Sequence, residues 1–194
     1  MSIILASGSP RRHELLKMIG IKDFIIITDT SEELIIPGLS AEEQVIRLSL
    51  QKAQNVAAKC SKEDLIIAAD TLVYLDGEPL GKPCSPHDAE KMLKKLSGQK
   101  HSVYTGVTVL KDNVHITQAE KTDVYFREIT ENEIKSYVAT GEPMDKAGSY
   151  AAQGGAAVFI EKIEGDFYCV VGLPICRLSM MLKEFGVENE STDK

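Results

Sequence analysis

The run Leu65-Ile66-Ile67-Ala68-Ala69-Asp70-Thr71-Leu72-Val73-Tyr74-Leu75 constrains this chain more than any other stretch. Its length and its Ile, Val and aromatic content read as a long strand, and Asp76-Gly77 behind it is a hairpin turn signal. A carboxylate sits in its middle. A charge in an apolar strand is costly unless it is hydrogen-bonded, ion-paired or bound to a metal. With a side-chain period of two, Asp70 shares a face with Ala68, Leu72 and Tyr74, and the small Ala68 leaves room beside it. Asp70 is therefore a candidate general base or metal ligand. A structural aspartate capping a neighbouring turn is the plainer reading, and the rarity of fully buried Asp disfavours it.

The remaining elements follow from periodicity and caps. Ile3–Leu5 and residues 24–27 read as short strands, with a helix from Pro10 to about Ile19 between them that Gly20 stops. Ser40 and Glu43 make a capping-box pattern that opens an amphipathic helix reaching to about Lys59. Pro86–Leu96 reads as a helix ended by Ser97-Gly98, and 103–110 as a strand turning through Asp112-Asn113 into a partner that ends near 124–127. Thr130…Glu133 opens another helix, with Gly141 as its stop. A Gly-rich stretch over 148–155 precedes a strand at 157–163, Gly165-Asp166 makes a turn, Phe167–Val171 is a strand, and 173 to about 185 is the last helix. Strands and helices mix without strict alternation, which points to an α/β domain of α+β character around a mixed sheet. No repeat or long linker interrupts it. One domain is expected over 1–187, with a frayed polar tail at 188–194.

Composition excludes several classes. The 194 residues are 43% hydrophobic and 26% charged, which is globular and allows a sizeable core. A net charge of −7 argues against non-specific binding to nucleic-acid polymers or anionic membranes. No apolar run approaches the ~18 residues of a membrane span, and Met1 to Pro10 lacks the charged region of a secretory signal. Cys60, Cys84, Cys169 and Cys176 form no CxxC pair, so reduced thiols and a cytoplasmic location are expected.

Four further constellations carry charge or polarity where chemistry can use it. In Ala6-Ser7-Gly8-Ser9-Pro10-Arg11-Arg12 a strand ends, Ser9 is a natural N-cap and Pro10 takes the first helical position. Two arginines at a helix N-terminus oppose the dipole; a bound polyphosphate would explain them, as would an exposed basic turn paired with nearby acids. Lys52 falls in the apolar stripe of Val45, Leu48 and Val56, either snorkelling or reaching a phosphate. Lys82, held between Gly81 and Pro83, suits a point charge facing an anion, although a surface turn is the default. Around 141–155, Glu142, Asp145 and Lys146 stand beside glycines that permit close backbone approach, and Gln153 either reads a base edge or lies on the surface. Glu32 and Glu33 add carboxylates suited to a hard cation. His13, His87, His101 and His115 are too dispersed for a metal site, and most are expected to be exposed. No GxxxxGK[ST], GxGxxG or GxSxG motif occurs.

Taken in order, Leu5-Ala6-Ser7-Gly8-Ser9-Pro10-Arg11-Arg12, Ala68-Ala69-Asp70-Thr71, Gly81-Lys82-Pro83, Leu96-Ser97-Gly98 with His101, Thr105-Gly106-Val107, Glu142-Pro143-Met144-Asp145-Lys146-Ala147-Gly148 and Val171-Gly172-Leu173-Pro174 resemble the Maf family of nucleoside triphosphate pyrophosphatases. The resemblance implies a mixed α/β domain of two lobes with a deep central cleft. It also implies metal-dependent hydrolysis of a nucleoside triphosphate to the monophosphate and pyrophosphate, and a house-cleaning role for which the resemblance suggests a link to cell-division arrest. Arg11, Thr71 and Gln153 match the branch that prefers dTTP and UTP, whereas the 7-methyl-GTP branch carries a bulky aromatic where Arg11 stands. Ser149-Tyr150-Ala151-Ala152-Gln153-Gly154 departs from the family's tyrosine-glycine-isoleucine-glutamine run. On this resemblance Asp70 is the base, or the carboxylate that orients a water on the metal. Ser7, Ser9, Arg11, Arg12, Lys52 and Lys82 hold phosphates, and Thr71 and Gln153 select the pyrimidine. Mg²⁺, Mn²⁺ or Co²⁺ is held by Asp70 with Glu33 or Glu32, and a homodimer is expected by analogy. The competing readings are a purine-analogue (inosine-type) triphosphate pyrophosphatase and a nucleotide-binding regulator of cell division.

Overall fold

Leu65–Leu75 forms a single strand, as its composition predicts, and its turn is built as the Asp-Gly pair requires. Asp76 and Gly77 both take positive φ (50° and 83°), the conformation that matches the right-handed twist of a two-residue hairpin. The computed structural model describes residues 1–29 and 34–188. Within them the order is β1 (Ile3–Leu5), α1 (Pro10–Met18), β2 (Ile25–Ile26), α2 (Ala41–Ala57), β3 (Leu65–Leu75), β4 (Glu78–Leu80), α3 (Pro86–Leu96), β5 (Lys100–Lys111), β6 (Val114–Phe126), α4 (Glu131–Ala139), β7 (Ile160–Glu164), α5 (Phe167–Val171) and α6 (Ile175–Glu184). The fold is mixed α/β. Its sheet runs β2-β1-β3-β5-β6-β7, with β4 paired to β3. β1 is parallel to β2 and β3, whereas β3–β4 and β6–β7 are antiparallel. Glu32 and Glu33 lie outside the described residues, as does the expected tail beyond Glu188.

Four expectations about elements and caps need correction. The strand expected at 157–163 begins later, because Gly155–Phe159 is a 3-10 turn and only Ile160–Glu164 is strand. Ala156 and Phe159 are both buried, at the i, i+3 spacing that a 3-10 turn aligns on one side. The strand expected over Phe167–Val171 is a short α-helix. An apolar run of that length fits either state, and the Asp166 carboxylate decides it by accepting the Tyr168 N–H at 2.8 Å. Ser9 precedes α1 in extended conformation but its hydroxyl makes no cap hydrogen bond. β2 is shorter than expected, with Ile25 and Ile26 in register with Ile4 and Leu5 of β1.

The chain divides into two compact units, one of Met1–Asp70, Thr105–Glu120 and Gly172–Lys194, the other of Thr71–Tyr104 and Lys121–Val171. In the first, Ile4, Ile66 and Ala68 of the sheet pack with Ala53 and Val56 of α2. β5 comes so close to α2 that an added Cβ at Gly106 would lie 2.1 Å from the Val45 carbonyl oxygen. Backbone cannot yield as a side chain does. Gly106→Ala is accordingly expected to destabilise the protein by about 1–3 kcal/mol, read as a lowered urea midpoint at unchanged m. An unmoved midpoint would mean that α2 can retreat freely. In the second unit Leu93 and Leu96 of α3, Ile134 and Tyr137 of α4, and Val124 and Phe126 of β6 share one core with Tyr150 and Phe159. No helix among the described residues is long and apolar enough to cross a membrane.

Candidate functional site

The carboxylate in β3 has found an ammonium. α2 starts at a full capping box, in which Ser40 Oγ accepts the Glu43 N–H and the Glu43 carboxylate accepts the Ser40 N–H. Helical spacing then carries Lys52 onto the buried stripe of Val45, Leu48 and Val56. Its Nζ meets Asp70 Oδ1 at 2.5 Å, with side-chain exposures of 13% for Lys52 and 4% for Asp70. The lysine therefore neither snorkels to water nor stands alone as a phosphate ligand. Each member offsets the other's desolvation, and the contact fixes the direction in which the carboxylate points. A carboxylate held in one orientation has the positioning that a general base needs.

The turn that follows β1 is fastened from α1. Ser7 is nearly buried, and its hydroxyl oxygen accepts the Ser9 N–H at 3.3 Å and an Arg12 Nη1 hydrogen at 3.2 Å. The Ser7 carbonyl lies 2.9 Å from His13 Nε2. Arg12 Nε also donates to the Gly172 carbonyl at 2.8 Å. Arg12 thus ties together two of the motifs seen in the sequence, Ser7 to Arg12 and Val171 to Pro174, which sequence reasoning did not anticipate. Arg11 beside it is half-buried.

Thr71, Lys82 and Gln153 belong to the second unit. Lys82 is exposed on its turn, and the Gly81 carbonyl accepts the Gly148 N–H at 3.1 Å, so the lysine's support comes from the 146–148 loop. Gln153 is exposed, within a loop whose flanks are fixed by two side chains of α4 and the turn after it. Tyr137 Oη accepts the Ala151 N–H at 3.2 Å, and the Glu142 carboxylate accepts the Gly155 N–H at 3.1 and 3.2 Å. Lys146 pairs with Asp145 and keeps only 11% of its side chain exposed.

Histidine exposure is mixed, and the expectation that most are exposed holds for only two of the four. His87 and His115 are exposed, His13 is half-buried, and His101 is buried against Phe126 and Tyr150. Its Nε2 lies 2.8 Å from Tyr150 Oη while Nδ1 has no partner among the described residues. Burial pushes this imidazole down to about 4, against a weaker opposing pull from Asp123, so it stays neutral and structural at neutral pH. The only sequence hint was its place in a mostly apolar strand. All four cysteines are free thiols.

Among the described residues no three His, Cys, Asp or Glu side chains stand together as a metal-holding set. Of the expected ligands, Asp70 alone is described. A single carboxylate is a donor set that a Mg²⁺-like ion accepts, since such an ion takes one or two carboxylates and completes its shell with substrate phosphates and water.

A family model described as Maf-like protein matches residues 2–185. The chain is 51% identical over 187 residues to a dTTP/UTP pyrophosphatase of Methanosarcina mazei, covering 95% of this chain and 94% of that protein. It is 49% identical, with the same coverage, to a dTTP/UTP pyrophosphatase of Methanosarcina barkeri. Among solved structures, a HAM1 protein from Coxiella burnetii superposes with a TM-score of 0.50 at 15% identity, over 95% of this chain and 99% of that one. At that identity the likeness concerns the fold alone.

Proposed function

The chain belongs to the Maf-like family, and on that premise we propose that it is a nucleoside triphosphate pyrophosphatase that hydrolyses dTTP and UTP to the monophosphate and pyrophosphate. The observation that carries this reading is the near-full-length identity, about one residue in two, to relatives named for that activity. The Lys52–Asp70 pair supports it chemically. In the proposed reaction a water oxygen bonds to phosphorus at the α–β linkage, the bridging P–O bond breaks, and pyrophosphate leaves. Asp70 takes the water's proton, held in direction by Lys52. Arg11, Arg12, Lys52 and Lys82, with the hydroxyls of Ser7 and Ser9, neutralise and hydrogen-bond the phosphate oxygens. Thr71 and Gln153 select the base, since a carboxamide offers both a donor and an acceptor to the 4-oxo and N3–H edge. Asp70 would hold the divalent cation, which supplies charge neutralisation on the phosphates when bound. Four free thiols support a cytoplasmic setting.

The test is pyrophosphate release across canonical and modified triphosphates with Mg²⁺, Mn²⁺ and Co²⁺. Fastest metal-dependent turnover of dTTP and UTP is expected. Preference for inosine triphosphate would transfer the chain to the purine-analogue reading, and tight dTTP binding without turnover would make it a regulator. Gln153→Ala is expected to lower discrimination of dTTP over dCTP by about tenfold, the loss of roughly one good hydrogen bond, while turnover falls less. Unchanged discrimination would remove Gln153 from base selection.

A further inference from the structure

We propose that Tyr137 and Glu142 are positioning residues for base selection, which they serve by clasping both ends of the loop that carries Gln153. The proposal rests on the reading of Gln153 given above. Gln153 is exposed and its side chain makes no hydrogen bond with another described residue, so where its carboxamide stands follows the course of its backbone. That backbone is held on either side, two residues away. On one side the Ala151 N–H donates to Tyr137 Oη at 3.2 Å. On the other the Gly155 N–H donates to both Glu142 oxygens, at 3.1 and 3.2 Å. The two anchors are joined, because Tyr137 Oη donates its own proton to Glu142 Oε1 at 2.8 Å.

The clasp is built on firm ground. Tyr137 projects from α4 into the core of its unit and is 5% exposed. Burial foremost, and then the Glu142 hydrogen bond, push its phenol well above the ordinary tyrosine range, so it remains a donor to the carboxylate at any physiological pH. Glu142 opens the 3-10 turn Glu142–Asp145, directly after Gly141 at φ 76°. An N–H bonded to a carboxylate is stronger than one bonded to a neutral acceptor. The loop sequence is shaped to this contact. An added Cβ at Gly154 would lie 2.2 Å from Glu142 Oε1, and one at Gly155 would lie 3.3 Å from the Tyr137 ring. Glycines in these places let the backbone pass against the two anchoring side chains. The same glycines leave the loop with little stiffness of its own, which is why the anchors decide its course.

The experiment measures kcat/KM for dTTP and dCTP in the full chain, for wild type, Gln153→Ala, Glu142→Ala, Glu142→Gln, Tyr137→Phe and the double variant Gln153→Ala/Glu142→Ala. Amide hydrogen exchange at Ala151 and Gly155 is followed in parallel. Glu142→Ala is expected to lower the dTTP:dCTP ratio by at least about threefold, with faster exchange at Gly155. Glu142→Gln, whose amide oxygen can still accept, restores most of the ratio. Tyr137→Phe keeps the ring in the core, speeds exchange at Ala151 and lowers the ratio in the same sense, so the outcome does not depend on how well Glu142→Ala folds. In the double variant the ratio falls no further than with Gln153→Ala, because both act through one carboxamide. A ratio unchanged in Glu142→Ala and Tyr137→Phe, where Gln153→Ala lowers it, overturns the clasp and leaves the base-selection reading intact. A ratio unchanged in Gln153→Ala overturns both together.

Discussion

Asp70→Asn should lower turnover of dTTP and UTP by about 10²–10⁴-fold, the range associated with loss of a positioned general base. Asparagine keeps the shape and can still accept a hydrogen bond from Lys52 Nζ, but it cannot take a proton. The loss should therefore appear in kcat for both nucleotides alike and leave their ratio unchanged. That pattern separates Asp70 from Gln153, whose replacement changes the ratio more than the rate. Pyrophosphate release measured at saturating substrate reads the effect, with far-UV circular dichroism to show that the variant is folded. Turnover within a few-fold of wild type would sink Asp70 as the base.

Lys52→Met should cost the fold about 3–5 kcal/mol, the usual consequence of removing one member of a buried ion pair. Both side chains are withdrawn from water and meet at 2.5 Å. An exposed pair would contribute about 1 kcal/mol or less, so urea unfolding distinguishes the two cases clearly. Methionine fills much the same volume among Val45, Leu48 and Val56, which confines the change to charge. The double variant Lys52→Met/Asp70→Asn should be more stable than the sum of the single losses implies, since neither charge is then left without the other. Additive losses would show that the two groups do not act as a pair. Turnover should also fall in Lys52→Met, because the carboxylate loses the contact that aims it.

Local features were the legible ones. Both capping boxes, Ser40 with Glu43 and Thr130 with Glu133, formed as read. So did β3 from end to end and the left-handed turn residues Asp76, Asp112 and Gly141. Each of these is decided within a few residues by hydrogen bonds or backbone sterics. The misread segments, 157–163 and Phe167–Val171, are short apolar runs next to Gly or Asp, where period says little and a neighbouring carboxylate or core contact decides. The burial of His101 was equally illegible, since it depends on Tyr150 and Phe126 arriving from far along the chain.

The sequence by itself determined that a carboxylate would be buried in the central strand, that a lysine would lie in an apolar helical stripe, and that glycines would surround Gln153. Those are properties of residue type and spacing, set before any long-range contact forms. Only the tertiary structure decided who meets whom. Lys52 closes on Asp70 across 18 residues, Arg12 joins Ser7 to a carbonyl 160 residues away, and Glu142 holds the Gly155 amide 13 residues on. A buried charge demands some partner, and local chemistry states that demand. Which partner answers it depends on the packing of helix against sheet, and no local pattern encodes that.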